Sequence, residues 1–261
     1  MPQAIINLTT LSHNIRVVRK HLQPSTSLLV AIKANAYGHG AMRVGQHLES
    51  LGVNWFGVAT ATEALELRKS INANILIFSP DYKNITELVD YDIALTVADE
   101  HSLEVIKQAD VEKKVKVHLK VDTGMGRLGL PWQEAAKLAK KIVETKNVEL
   151  EGVWTHFAAS DDEDRTFTLG QLENFQNFLG ELRKESIQPK FIHTANSAAT
   201  LAFPESHFDL VRPGIAVYGY HSSPVTQKIE PRLTPVMTLT APVTFIKKVK
   251  AGTPISYSSM W

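Results

Sequence analysis

Lys33 stands between a short apolar run, Leu28-Leu29-Val30-Ala31-Ile32, and the stretch Ala34-Asn-Ala-Tyr-Gly-His-Gly40. A continuous hydrophobic run of that length marks a strand buried on both faces. A lysine at its end is held away from bulk water, and desolvation disfavours the ammonium form and lowers the amine's pKa. A neutral amine attacks a carbonyl and forms a Schiff base. The following stretch reads as a loop whose glycines, Gly38 and Gly40, allow close backbone approach and unusual dihedrals before a helical pattern begins near Ala41. An isolated lysine there usually does no more than reach out of a strand end into solvent. Its neighbours decide.

Those neighbours are set by an alternation of strand-like and helix-like segments. Candidate strands are 28–32, 55–59, 74–79, 93–97, 115–121, 148–154, 190–193 and 210–218. Between them, apolar residues recur at spacings of three and four, as in Val44, Leu48 and Leu51, or in Leu172, Phe175, Phe178, Leu179 and Leu182. Strand then helix, repeated eight times, predicts an α/β fold, a parallel (β/α)8 barrel of the TIM type, with an open doubly wound sheet as the competitor. The expected organisation is an N-terminal strand or arm over 1–8, a barrel over 9–220, and a linker with the beginning of a β-rich C-terminal domain over 221–261. The last part alternates like antiparallel strands at 237–240 and 243–249. It is too short to enclose a core, so the chain reads as cut short.

Composition excludes several classes. The 261 residues are 44% hydrophobic and 21% charged, with a formal net charge of +1, which gives no electrostatic case for nucleic acid or membrane partners. There is no cysteine, hence no disulfide, thiolate metal site or cysteine nucleophile. No metal site is expected. The start carries neither a basic stretch followed by a long apolar one nor a membrane span, and a cytoplasmic location is the default expectation.

In a parallel barrel the reactive residues belong at the C-terminal strand ends. Lys33 and Tyr37 follow the first strand, Lys120, Asp122 and Arg127 the fifth, His156 the sixth, and Asn196 and Ser197 the seventh, while Arg212 and Gly214 belong to the eighth. Singly, His156 reads as a hydrogen-bonded core histidine, Tyr37 as a packing residue and Asn196-Ser197 as a helix cap. Polar groups at five strand ends at once are harder to assign to accident. Gly124, Gly126 and Gly129 also fit the spacing of a dinucleotide-binding loop, with Glu149 twenty residues beyond Gly129. Against that, Arg127 stands inside the loop and Pro131 places the helix start too late to cradle a pyrophosphate.

The stretches A-I-K-A-N-A-Y-G-H-G, H-L-K-V-D-T-G-M-G-R-L-G, T-H-F-A, H-T-A-N-S-A and R-P-G-I-A-V-Y-G resemble the alanine racemase family in order and separation, and P-I-S-Y-S-S-M-W resembles the stretch holding that family's catalytic tyrosine. The resemblance implies a pyridoxal 5′-phosphate enzyme on a (β/α)8 barrel, a homodimer with sites shared between subunits, interconverting L- and D-alanine and supplying D-alanine for bacterial peptidoglycan. It implies that Lys33 binds the cofactor covalently and serves as one base, and that Tyr257 serves as the other. A phenol is a poor base at its ordinary pKa of about 10, so Arg127, His156 and Arg212 become candidates for favouring its phenolate. By the same resemblance Arg127 holds the substrate carboxylate, Lys120 matches a lysine that is often carbamylated to steady that arginine, and Arg212 faces the pyridine nitrogen. Tyr37, Ser197, Gly214 and Ile215 hold the phosphate, with Asn196 beside them. Ser258 and Ser259 depart from the family, which usually has glycine after the tyrosine. The remaining alternatives are a non-catalytic cofactor-binding barrel and a racemase of broader specificity. Related decarboxylases share barrel and cofactor, but the lysine and arginine stretches favour the racemase.

Overall fold

Buried β-branched and aliphatic runs need partners on both sides, and in this chain they find them by closing a sheet on itself. The computed structural model describes residues 1–229 and 231–259. Met260, Trp261 and Glu230, parts of the tyrosine stretch and the linker, lie outside the described residues. The chain begins with β1 (Gln3–Ile6) and α1 (Leu8–Arg19), then β2 (Ser27–Ala31), α2 (Lys33–Tyr37) and α3 (Ala41–Ser50). It continues through β3 (Trp55–Val58), α4 (Ala61–Arg68), β4 (Asn74–Ile77), α5 (Ile85–Asp90), β5 (Ile93–Val97) and α6 (Glu100–Lys107). Next come β6 (Val115–Asp122), a short β7 (Leu130–Pro131), α7 (Trp132–Glu144), β8 (Val148–Trp154) and α8 (Thr166–Lys184). The final elements are β9 (Phe191–His193), α9 (Ser197–Ala202), β10 (Leu210–Val211), α10 (Pro224–Gln227) and β11 (Met237–Thr240).

The sheet order is β5-β4-β3-β2-β10-β9-β8-β6, and β5 pairs with β6 to close the ring. All these pairings are parallel, which gives the expected (β/α)8 barrel. Alternate residues divide between two cores. In β2, Leu28 and Val30 join the layer under the helices, whereas Leu29 packs on the barrel axis with Trp55, Leu76, Ala94 and Leu210. In β6, Val115, Val117, Leu119 and Val121 face the helices, leaving His118 and Lys120 for the interior.

The structure corrects several expected elements. The strand expected over 210–218 stops at Val211. Pro213 has no N–H to offer a neighbour, and the chain turns instead through Val217 N–H to Gly214 C=O and Gly219 N–H to Ala216 C=O. Helix α1 was not anticipated, although Leu11, Ile15 and Val18 have the spacing of a buried helical face. The N-terminal strand pairs antiparallel with β11, Gln3 opposite Thr240 and Ile6 opposite Met237. Residues 243–249, expected as a strand, have no pairing partner and expose Val243, Phe245 and Ile246. Among the described residues no helix is long and apolar enough to cross a membrane.

One close approach ties the barrel core to its mouth. A Cβ on Gly57 of β3 would lie 2.0 Å from the Phe78 ring and 2.8 Å from Leu29. Gly57→Ala therefore overpacks the interior and is expected to lower stability by about 1–3 kcal/mol, read as a lower urea midpoint at unchanged m. An unchanged midpoint would contradict this packing.

Candidate active site

Residues following the C-terminal ends of the strands converge on one cavity of ≈ 450 Å³. Lys33, Tyr37, Lys120, Arg127, His156, Asn196, Ser197, Arg212, Gly214 and Ile215 all line it, so the expected strand-end set is brought together except for Asp122. Tyr257 is outside it. That residue is 95% exposed and does not line the cavity.

Lys33 opens a turn of unusual geometry. Ala34, Asn35, Ala36 and Tyr37 all have φ between 51° and 56°, a single left-handed turn made without glycine. The loop was expected to place its unusual dihedrals on Gly38 and Gly40; those are also positive, but the strain begins four residues earlier. Left-handed backbone costs about 1–2 kcal/mol per non-glycine residue, so something must hold it. Ala36 N–H donates to Ile32 C=O at 2.8 Å, Gly40 N–H to Asn35 C=O at 3.0 Å, and Ala41 N–H to the Asn35 side chain at 2.8 Å. The Glu63 carboxylate completes the clamp, accepting from Ala34 N–H and Ala59 N–H at 2.7 Å each. Lys33 itself is half-buried, and its amine makes no hydrogen bond or ion pair among the described residues.

Lys120 and Arg212 lie deeper, 2% and 4% exposed. The Lys120 ammonium donates to Val121 C=O at 2.7 Å and Leu128 C=O at 3.1 Å. Burial, opposed by Asp122 and reinforced by Arg212 and Arg127, pulls its pKa down to about 7. Arg212 donates to the carbonyls of Thr155 at 2.6 Å and Thr194 at 2.9 Å, to His156 Nδ1 at 3.2 Å and to His193 Nδ1 at 3.1 Å. Burial lowers its pKa to about 9, which leaves it charged at neutrality. His156, named with Arg127 and Arg212 as a candidate for favouring the phenolate, carries no positive charge to do so. Burial first, then the charges of Arg212, Arg127, Lys120 and Lys33, lower its pKa to about 2. It is a neutral imidazole whose Nδ1 accepts from Arg212, so its hydrogen is on Nε2.

At the start of the turn after β10, the Ser197 hydroxyl accepts from Gly214 N–H at 2.8 Å, while Ile215 N–H has no partner among the described residues. A Cβ on Gly214 would sit 2.8 Å from Tyr37 Oη, so only glycine leaves this cradle open. Asn196 is the N-cap of α9, accepting from Ala199 N–H at 3.1 Å and from Ser160 at 2.8 Å. Its cap role, one of the readings the sequence allowed, is met. Asp122 folds its carboxylate over the amides of Gly124, Met125 and Gly126 at 2.9–3.2 Å, which shapes the loop carrying the exposed Arg127. Helix α7 starts only at Trp132, past those glycines, as expected against dinucleotide binding. The departure at Ser258 has a backbone signature, since this residue has φ +59°, a conformation that glycine adopts without cost.

Sequence reasoning missed Trp154. Its ring lies 5.3 Å from Lys120 Nζ and 4.9 Å from the Arg212 guanidinium carbon, and stacks on His193 with centroids 5.8 Å apart. Its place at the end of β8, two residues before His156, was the available signal.

The fold and this mouth define a (β/α)8-barrel protein with a polar, cation-rich cavity at the strand ends. The family model described as alanine racemase, N-terminal domain, matches residues 6–222. An alanine racemase of Treponema denticola is 43% identical over 99% of this chain and 70% of its own length, and one of Methanococcus maripaludis is 40% identical over 97% and 69%. Among solved structures, the alanine racemase from D-cycloserine-producing Streptomyces lavendulae superposes with a TM-score of 0.92 at 35% identity, covering 100% of this chain and 70% of that one. The Bacillus anthracis alanine racemase with bound L-Ala-P gives 0.91 at 34%, covering 100% and 69%. The chain belongs to the alanine racemase family.

Two outcomes follow from the clamp and from Lys120. Glu63→Gln removes a charged acceptor from one of two backbone donors and is expected to cost about 1.5–3 kcal/mol, with faster amide exchange at 34–38; unchanged exchange there would remove Glu63 from the turn. Lys120 has a folded pKa near 7 against an ordinary 10.5. The unfolded chain thus binds the extra proton between those values, and stability must rise with pH across that window, by at most 1.36 kcal/mol per unit from this group. Lys120→Met should flatten that rise in denaturation midpoints measured from pH 7 to 10; an unaltered slope would mean that Lys120 titrates normally.

Proposed function

We propose that the chain is an alanine racemase, interconverting L- and D-alanine with pyridoxal 5′-phosphate, in the cytoplasm, and supplying D-alanine for peptidoglycan. The carrying observation is the mouth itself: an amine without internal partner, Lys33, shares one cavity with the guanidinium groups of Arg127 and Arg212 and with the cradle of Ser197, Gly214 and Ile215. The residues fit that cofactor. Ile215 N–H is an unclaimed donor, the Gly214 site has no Cβ, and Tyr37 Oη closes over it, which suits a phosphate held by backbone and hydroxyl donors. Asn196 supports the cradle by capping α9 beside it. Arg212 Nε has no partner among the described residues and is available to a ring nitrogen.

When bound, pyridoxal 5′-phosphate supplies a conjugated ring that spreads negative charge from the substrate α-carbon. The chain's own groups do the rest. Lys33 would hold the cofactor and, on one face, take the α-proton as an amine or return one as an ammonium. Arg127 binds the substrate carboxylate through its planar fork. Arg212 would offer a hydrogen bond to a ring nitrogen and, giving up no proton, would restrain the electron withdrawal that favours transamination. Lys120, with a neutral fraction near pH 7, can add carbon dioxide through its amine nitrogen and release a proton to solvent to become a carbamate anion, turning its repulsion of Arg127 into attraction. Tyr257 serves the opposite face. Because it lies outside this chain's cavity, the reading places it in the site of a second copy across a twofold homodimer. His156 Nε2–H, fixed by the Arg212 bond at Nδ1, is the donor suited to steady its phenolate.

The test incubates the protein with L-alanine and cofactor in D2O. D-alanine with deuterium at the α-carbon is expected, and the appearance of neither would overturn the reading. Lys33→Ala should abolish both turnover and the covalent cofactor absorbance, and Tyr257→Phe should lower kcat about 10²–10⁴-fold. Cofactor absorbance in the wild type without turnover would leave a cofactor-holding barrel.

A further inference from the structure

We infer that Glu151 is a positioning residue for Arg212, the remote counter-ion of its guanidinium, connected to it through the buried imidazoles of His193 and His118. The catalytic consequence rests on the proposed racemase reading, while the electrostatic connection stands on geometry alone.

Arg212 is buried without a carboxylate in ion-pair range among the described residues. Its Nη1 lies 3.1 Å from His193 Nδ1; His193 Nε2 lies 2.8 Å from His118 Nδ1; His118 Nε2 lies 3.3 Å from Glu151 Oε2. Both histidines are fully buried and Glu151 is 4% exposed, so water cannot interrupt the series.

The two ends fix every proton between them. A guanidinium only donates, so His193 Nδ1 must accept and its hydrogen is on Nε2. That hydrogen goes to His118 Nδ1, which must therefore accept, placing the His118 hydrogen on Nε2, where the Glu151 carboxylate receives it. A protonated Glu151 donating to His118 would reverse each bond and set an N–H of His193 against an N–H of Arg212. The arrangement has a cation at one end, two neutral rings with hydrogen on Nε2, and a carboxyl oxygen of Glu151 accepting at the other. Burial lowers the pKa of both histidines, with Arg212 acting in the same direction on each, which agrees with neutral rings.

The backbone is built to make this connection. Val117 of β6 pairs with Leu150 and His118 with Gly152, so Glu151 is the extra residue of a bulge in β8. A bulge re-aims a side chain that regular alternation would send elsewhere. The next residue must be small: a Cβ at Gly152 would fall 2.4 Å from His118 Nδ1. The rings are further held by Trp55 against His118 and Trp154 against His193. The nearby Lys116, which feels the Glu151 charge, is already paired with Asp92 at 2.7 Å. No metal-holding group of three or more His, Asp or Glu side chains occurs among the described residues, so the series is not a metal site.

The consequence concerns what Arg212 presents to the cavity. A carboxylate at the far end makes each imidazole a better acceptor, draws the Arg212 charge toward His193, and locks the guanidinium plane. Removing the negative end should leave a more strongly positive, less well-oriented donor facing the ring nitrogen.

The first measurement uses ¹⁵N-imidazole spectra of the full chain without cofactor. His118 and His193 should both be neutral with hydrogen on Nε2 from pH 6 to 9, and an Nδ1–H signal from either would overturn the inference. The second is a denaturation cycle over Glu151→Gln, Arg212→Met and the double variant, also without cofactor. Each single change should lower the midpoint and the double should fall no further than the worse single; additive losses would refute the coupling. With cofactor, Glu151→Gln should lower kcat about tenfold while the KM for alanine stays within about threefold, and Glu151→Asp, which keeps the charge and guards against a folding defect of the Gln variant, should restore most of it. A Glu151→Gln enzyme with wild-type kcat would overturn the positioning role. A coupled cycle in a wild type that racemises nothing would sustain the counter-ion and reject the racemase reading.

Discussion

Arg212 carries donors that cannot be withdrawn and a charge that cannot conveniently be neutralised, and it is buried at the centre of the barrel mouth. Much of the local architecture follows from satisfying it. Two carbonyls at the ends of β8 and β9, those of Thr155 and Thr194, point at it, and His156 and His193 present bare ring nitrogens to it. His156 is neutral because it is buried and, next, because Arg212 stands beside it, and the bond from Arg212 to Nδ1 assigns its remaining hydrogen. Lys120 loses part of its proton affinity for the same reasons. Burial first, and this cation second, thus set the protonation of the neighbours, and the neighbours set where hydrogen can be given or taken.

The other constraint is mechanical. Lys33 sits at the root of a left-handed turn of four non-glycine residues, an arrangement that a free peptide would leave. Backbone bonds within the turn, the Asn35 side chain and the Glu63 carboxylate hold it. Strain of this kind persists only where the surroundings over-determine it. Its effect is to bring Lys33 and Tyr37 to the same cavity from positions four residues apart, with Tyr37 packed on Tyr218 at a centroid distance of 5.2 Å.

The barrel was legible because parallel strands buried on both faces read as unbroken apolar runs, and the strand ends were legible because the fold places reactive residues there. What local pattern could not show were features that depend on partners distant in sequence. The strand expected through Tyr218 fails at Pro213, which a local reading could have weighed, whereas 243–249 has no partner strand beside it among the described residues. Helix α1 carries weak flanking signals and went unread. The charge state of His156 needed Arg212, fifty-six residues away, and the turn at Lys33 looked like a glycine loop because nothing in Ala-Asn-Ala-Tyr announces a left-handed backbone.

The electrostatics of the mouth argue for the kind of ligand it holds. Lys33, Lys120, Arg127 and Arg212 share one cavity, whereas its acids are few: Asp161 lines it, and Asp122 spends its carboxylate on loop amides. Gathering cations in a partly desolvated place raises the free energy of the ligand-free protein. An anion that binds there relieves the repulsion, so its binding and the stability of the fold are linked by mass action. A dianionic phosphate at the Ser197–Gly214–Ile215 cradle and a carboxylate at Arg127 would each remove part of that cost. The mouth is therefore least stable when empty and most ordered when filled, and the fold can carry that deficit because a large continuous apolar core lies between the sheet and its helices.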